Sequence, residues 1–123
     1  MPDYRSVTIG RGPAGWGGPL TVTPSEDKPY IYSVTGGGIH PVAQRIAELT
    51  GGTAFDGFRG SQPFDQIAVA VIDCGGTARV GVYPMRHVLT VDTQATAPAG
   101  PLARFVTADL FVSDVGPDDV VAG

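Results

Sequence analysis

Cys74 is the only cysteine in the 123-residue chain, and Gly75, Gly76, Thr77, Ala78 and Arg79 follow it. Consecutive glycines let backbone N–H groups curl toward one point and form an anion-binding concavity. The Thr77 hydroxyl and the forked Arg79 guanidinium add donors suited to phosphate. The same donors stabilise a thiolate and draw the thiol below its ordinary pKa, which makes a nucleophile near neutral pH. A residue that accepts and then releases a phosphoryl group needs this pairing of nucleophile and oxyanion cradle. The opposing reading is a small, inert residue that closes a core strand, as free cysteine often does. Asp73, just before it, opposes a thiolate by its charge. As an alternate strand residue it can instead turn aside and hydrogen-bond the loop.

The other reactive types are scattered. His40 stands after Gly36-Gly37-Gly38-Ile39 at the start of an expected helix. There it can donate to an anion or relay a proton, or simply cap the helix. His87, beside Arg86 in an expected turn, reads as a surface residue. Two separated histidines and one cysteine give no metal-ligand spacing, so no metal site is expected, nor any cofactor. A phosphate-binding loop of the Walker type needs Lys before Ser or Thr, whereas the only lysine, Lys28, lies in a polar turn. Cys74 and Arg79 are separated by one residue fewer than the tyrosine-phosphatase loop has, so a phosphatase is an analogy only. Trp16, between glycines, either folds back onto the core or offers a rigid anchor to a partner.

These residues must be positioned by a chain with 18 Gly, 11 Pro and 42% apolar residues. That composition has no collagen-like period and too much apolar content for simple disorder. A lone cysteine excludes a disulfide-stapled scaffold. The net charge of −4 comes without a basic stripe, so no nucleic-acid partner is expected. The longest wholly apolar run, Ile67–Ile72, is far too short to cross a bilayer. The N-terminus has no signal pattern, and the reading is a soluble cytoplasmic domain.

Strands are expected at Tyr4–Ile9, Leu20–Thr23, Tyr30–Val34 and Thr53–Phe58, the last as an edge strand. Ile67–Ile72 reads as a strand buried on both faces. Further strands are expected at Arg79–Tyr83, Val88–Val91 and Leu110–Val112, with a helical turn near Leu102–Val106. A helix runs from Pro41 to about Thr50, stopped by Gly51-Gly52, with Val42, Ile46 and Leu49 on one face. The expectation is α/β (mixed α+β): a single compact domain, residues 1–123, with a central sheet and few helices. The polar tail 116–123 is expected to fray.

Five segments follow one order: Gly15-Trp16-Gly17-Gly18-Pro19-Leu20, Ala47-Glu48-Leu49-Thr50-Gly51, Asp56-Gly57-Phe58, Val71-Ile72-Asp73-Cys74-Gly75-Gly76-Thr77 and Gly81-Val82-Tyr83-Pro84. Gly100-Pro101-Leu102-Ala103 and Asp109-Leu110-Phe111-Val112-Ser113 continue it. The chain resembles, from about Ser6 to Val115, the N-terminal enzyme IIB domain of the glucitol/sorbitol-specific sugar phosphotransferase system. The resemblance implies a phosphorelay. A phosphohistidine on enzyme IIA passes its phosphoryl group to a IIB cysteine, which passes it to sorbitol held by the membrane enzyme IIC. Cys74 matches the Cys-Gly-Gly-Thr motif and would be the carrier, with Gly75, Gly76, Thr77 and Arg79 binding phosphoryl oxygens and Asp73 and His40 as auxiliaries. The resemblance also implies a place at the inner membrane face, through IIC.

Three departures count. Val80 stands where relatives carry a second cysteine, the membrane-embedded portion of many relatives is not part of these residues, and Met85-Arg86-His87 is less basic than its counterpart. A non-catalytic ligand-binding or regulatory module that keeps the fold therefore stands as the alternative. Phosphatase-like hydrolysis, with Asp73 or Asp56 as acid, ranks third.

Overall fold

Val7, Ile9, Leu20 and Val22 are fully or almost fully buried, and the residues between them face outward. That alternation is what a strand pair packed on one face requires. In the computed structural model, residues 4–35, 38–57, 60, 62–73, 82–95 and 105–122 are described. Strands β1 (Val7–Ile9) and β2 (Leu20–Val22) pair antiparallel, and β8 (Val120–Ala122) pairs antiparallel with the other side of β1.

The second sheet holds β3 (Tyr30–Val34), β4 (Thr53–Asp56), β5 (Ile67–Ile72), β6 (Thr90–Asp92) and β7 (Phe111–Val112). It is five-stranded, ordered β4-β3-β5-β6-β7, with every neighbouring pair parallel. All six residues of β5 are buried, as a central strand covered on both faces demands. Parallel neighbours need a crossover, and helix α1 (Pro41–Thr50) supplies the one between β3 and β4. Pro41 opens the helix, while Gly51 at φ 84° closes it by donating its N–H to the Ala47 carbonyl. Val42, Ala43, Ile46 and Ala47 of α1 join Ile31, Val69, Val71, Val91 and Val112, and the inner residues of the small sheet, in one core. Each of the valine and isoleucine side chains contributes about 1.5–3 kcal/mol on burial. A second cluster, Tyr32, Ile67, Ala70 and Val88 with Phe55 and Tyr83, occupies the opposite face of the large sheet.

The expected α/β architecture is present, and β3, β5 and α1 have the expected bounds. Two expectations are corrected. Val82–Tyr83 was expected to end a strand, but Val82–Met85 is a short helix, α2. Its Tyr83 carbonyl accepts from the N–H groups of Arg86 and Val88, so the chain turns there instead of extending. The tail from Gly116 does not fray. Pro117–Asp119 forms a 3-10 turn in which the Asp119 carboxylate accepts the Gly116 N–H. Val120 is then buried, and its carbonyl accepts from Arg45 Nε at 2.9 Å. Burial of Val120 and the pairing of β8 with β1 hold the tail in spite of the polar residues before it. The expected Leu102–Val106 turn and the Arg79–Gly81 part of the expected strand lie largely outside the described residues.

The glycine-rich segment 10–18 runs beside β7 and covers its open edge. Ser113 N–H donates to the Trp16 carbonyl at 3.0 Å, Trp16 N–H to Ser113 Oγ at 2.8 Å, and Gly18 N–H to the Phe111 carbonyl at 3.0 Å. Gly17 forms an antiparallel bridge with Val112. This strap satisfies backbone groups that an edge strand would otherwise present to other chains. Trp16 folds inward, its ring 6.2 Å from that of Phe111 and packed with Val106.

Candidate functional site

After β3 the chain places β4 on one side, then returns to set β5 on the other side of β3. The order therefore reverses between β3 and β5. In open parallel sheets, ligands bind outside the carboxyl ends of the strands at such a reversal. Two segments leave the sheet there: the one from Thr35 to the start of α1, and the one that follows β5. Val34 and Ile72 are partners in the register at that end.

Asp73, exposed, is the last described residue before Cys74. Cys74, Gly75, Gly76, Thr77 and Arg79 lie outside the described residues.

The neighbouring segment is built in detail. Ser33 and Thr35 are polar residues at the end of β3, and both are buried. Ser33 Oγ accepts the His40 N–H at 3.0 Å and lies 3.2 Å from Thr35 Oγ1, which donates to the Gly38 carbonyl at 3.1 Å. Thr35 spends its only hydroxyl proton on Gly38, so Ser33 must be the donor to Thr35. The result is one directed chain of hydrogen bonds that fixes the approach to α1. His40 is the N-cap, with Nδ1 accepting the Val42 N–H at 3.1 Å. An accepting Nδ1 carries no proton, so the ring proton sits on Nε2. His40 is therefore the cap that the sequence offered as one of its two readings. Replacing it with Ala should cost about 0.5–1 kcal/mol of stability, read as a lower urea midpoint at unchanged slope.

The same end carries Asp56 of β4, in register with Ser33, and Asp92 of β6, in register with Ile72. Asp92 is fully buried, and one of its oxygens, Oδ1, accepts the Gln94 N–H at 2.9 Å. Sequence reasoning missed Ser33, Thr35 and Asp92 as parts of this edge. The available signal was a polar residue at or just after the end of an apolar strand, in Tyr32-Ser33-Val34-Thr35 and in Val91-Asp92. Substituting Ser33 with Ala should cost about 1–3 kcal/mol, because buried donors lose their partner; a chemical-unfolding series measures it.

A cavity of about 420 Å³ lies elsewhere, lined by Tyr32, Gln62, Pro63, Phe64, Ile67 and Tyr83. Ile67 opens β5, so the cavity faces the amino half of that strand, away from the reversal. Arg86 lies 5.4 Å above the Phe64 ring there. Among the described residues, no group of three or more His, Cys, Asp or Glu side chains could hold a metal ion, and no helix is long and apolar enough to cross a membrane.

These elements define a mixed α/β domain with a five-stranded parallel sheet and a small antiparallel one, and its strand order reverses between β3 and β5. Residues 6–123 match the family model described as "Sorbitol phosphotransferase enzyme II N-terminus", and the chain belongs to that family. It is 43% identical over 121 residues to a "PTS system glucitol/sorbitol-specific EIIB component" of Clostridium beijerinckii. That alignment covers 98% of this chain and 36% of the relative, so the chain spans about a third of the relative's length. No solved structure matches the chain significantly.

Proposed function

We propose that the chain is a phosphoryl carrier that accepts a phosphoryl group on Cys74 from a phosphohistidine of enzyme IIA and delivers it to sorbitol held by enzyme IIC. The observation that carries the reading is the sequence Cys74-Gly75-Gly76-Thr77, one residue beyond the end of β5 in the chain, in a member of this family. In the first step the Cys74 thiolate attacks phosphorus; an S–P bond forms, the P–N bond breaks, and the imidazole leaves with the electron pair. In the second step a sorbitol hydroxyl oxygen attacks phosphorus, the S–P bond breaks, and the thiolate is regenerated. The hydroxyl proton passes to a base. Both transfers move negative charge onto the phosphoryl oxygens, which N–H donors from Gly75, Gly76 and Thr77 and the Arg79 fork would stabilise. Asp73 and His40 would act as auxiliaries, at the mouth of the loop and at the α1 cap. The carrier would work at the inner face of the membrane, beside IIC.

The test is to incubate the chain with phosphorylated IIA and weigh it intact. A gain of one phosphoryl group on Cys74 is the expected result; no gain would overturn the reading. Val80, in place of the second cysteine of relatives, favours one rival, a regulatory module that keeps the fold without the relay. That rival predicts no phosphoryl adduct and iodoacetamide alkylation of Cys74 at the rate of an ordinary thiol.

A further inference from the structure

The cavity of about 420 Å³ beside the amino half of β5 plays no part in the relay, yet it has the make-up of a small-molecule site. Such sites measure roughly 300–1,000 Å³ and join aromatic walls to a few placed polar groups. Tyr32 and Ile67, both buried, close its floor. Phe64 and Tyr83 form the walls, their rings edge to face with centroids 5.7 Å apart. Gln62 and Pro63 lie beside them.

Backbone bonds fix both walls. The Gln66 N–H donates to the Pro63 carbonyl at 3.0 Å to close the 3-10 turn Phe64–Gln66, and the Ile67 N–H donates to Phe64 and ties the turn to β5. The Tyr83 carbonyl accepts from the N–H groups of Arg86 and Val88, at 2.9 and 3.0 Å. Phe55 steadies the floor, its ring 5.7 Å from that of Tyr32 and within 9° of parallel.

Two polar groups here are unspent. Gln62 is half-buried, and its side-chain amide has no hydrogen bond among the described residues. The carbonyl and NH2 of an amide lie side by side and match a ring edge that presents a donor next to an acceptor. Arg86 sits over the Phe64 ring at 5.4 Å and makes no ion pair among the described residues. A guanidinium over a ring keeps its in-plane N–H groups for an anion. The Tyr32 hydroxyl has no proton to offer, because it donates to the Gly60 carbonyl at 3.3 Å. Glu26, Asp27 and Asp65 line a different cleft, so no carboxylate among the described residues lines this one. Arg86 therefore gives the cavity a positive side.

We propose that this cavity binds a purine mononucleotide, with the base among Tyr32, Phe64 and Tyr83, its edge on the Gln62 amide and its phosphate on Arg86. A purine base has flat faces for aromatic neighbours and an edge that pairs with an amide, and the phosphate supplies the anion. A plain phenyl ring leaves the amide unmatched, and an open-chain polyol leaves three rings without a flat partner. The site stands apart from the phosphoryl-carrier reading, and neither depends on the other.

The experiment is calorimetric titration of the whole chain with adenosine 5′-monophosphate (AMP), adenosine and ribose 5-phosphate. AMP should bind one to one with a Kd on the order of 100 μM. Adenosine, which has no anion, should bind about tenfold more weakly, and ribose 5-phosphate should show no saturation. R86Q should weaken AMP about tenfold and leave adenosine unchanged. Q62L should weaken AMP and adenosine alike, by about fivefold or more. R5Q removes an exposed arginine that lines a different cleft, and it should leave AMP binding unchanged. Urea midpoints of the three variants check that the fold persists. Absence of saturable AMP binding up to about 10 mM, ribose 5-phosphate binding as tightly as AMP, or AMP affinity unchanged in R86Q or in Q62L would each overturn the proposal.

Discussion

Cys74→Ser is expected to remove phosphoryl acceptance altogether, with the rate of adduct formation falling by more than about a thousandfold. Loss of a covalent nucleophile removes the step itself, since a serine hydroxyl stays protonated where a thiol ionises. The measurement is intact mass against time with phosphorylated IIA, alongside circular dichroism to show that the fold persists. Ser is close to Cys in size, so the variant should keep its urea midpoint within the change typical of a mild substitution, about 1 kcal/mol. A serine variant that gained the group at an undiminished rate would place the acceptor elsewhere. His40 would then be the first residue to replace, since it stands at the neighbouring segment of the same reversal.

Gly17→Ala should be the most damaging single-methyl change in the strap, costing about 3 kcal/mol or more. Gly17 has φ of 83°, a conformation that disfavours any L side chain, and an added Cβ would overlap the Phe111 carbonyl oxygen. The oxygen belongs to the backbone of β7, so it cannot swing aside. The strap would have to lift, and with it the bonds of Trp16 and Gly18 to β7. Trp16 is the only tryptophan, so its fluorescence reports the event directly. Emission should shift to the red and the urea midpoint should fall in the same variant. An unchanged midpoint with unshifted emission would show that the strap closes without the left-handed residue.

The strand and helix patterns were legible where one physical rule dominates. Ile67–Ile72 is apolar throughout, which only a centrally buried strand explains, and Pro41 with Gly51 marks both ends of α1. Trp16 was readable as a core cap because an aromatic among glycines has no fixed packing until it folds onto neighbours. Tertiary partners far along the chain were not legible. Val120 looks like part of a polar tail until β1 supplies a ladder and Arg45 a donor. The β-branched Val82 suggested strand, but the turn around the Tyr83 carbonyl decided otherwise. At the site, residue types pointed to Cys74 and its donors, whereas Ser33, Thr35 and Asp92 acquire meaning only from the order of strands. A sequence lists strands in time, and the reversal between β3 and β5 exists only in space.

The pairing of β1 with β8 has a consequence for how the molecule comes into being. Val7 stands opposite Ala122, and the strap contacts Ser113 and Asp114 across about a hundred residues of chain. Contacts so distant along the sequence slow folding, because a long loop must close before they form. During synthesis β1 and β2 emerge long before β8, and an isolated two-stranded pair is marginal in water. The small sheet is finished only when Ala122 has left the ribosome, so β8 seals a strand made more than a hundred residues earlier.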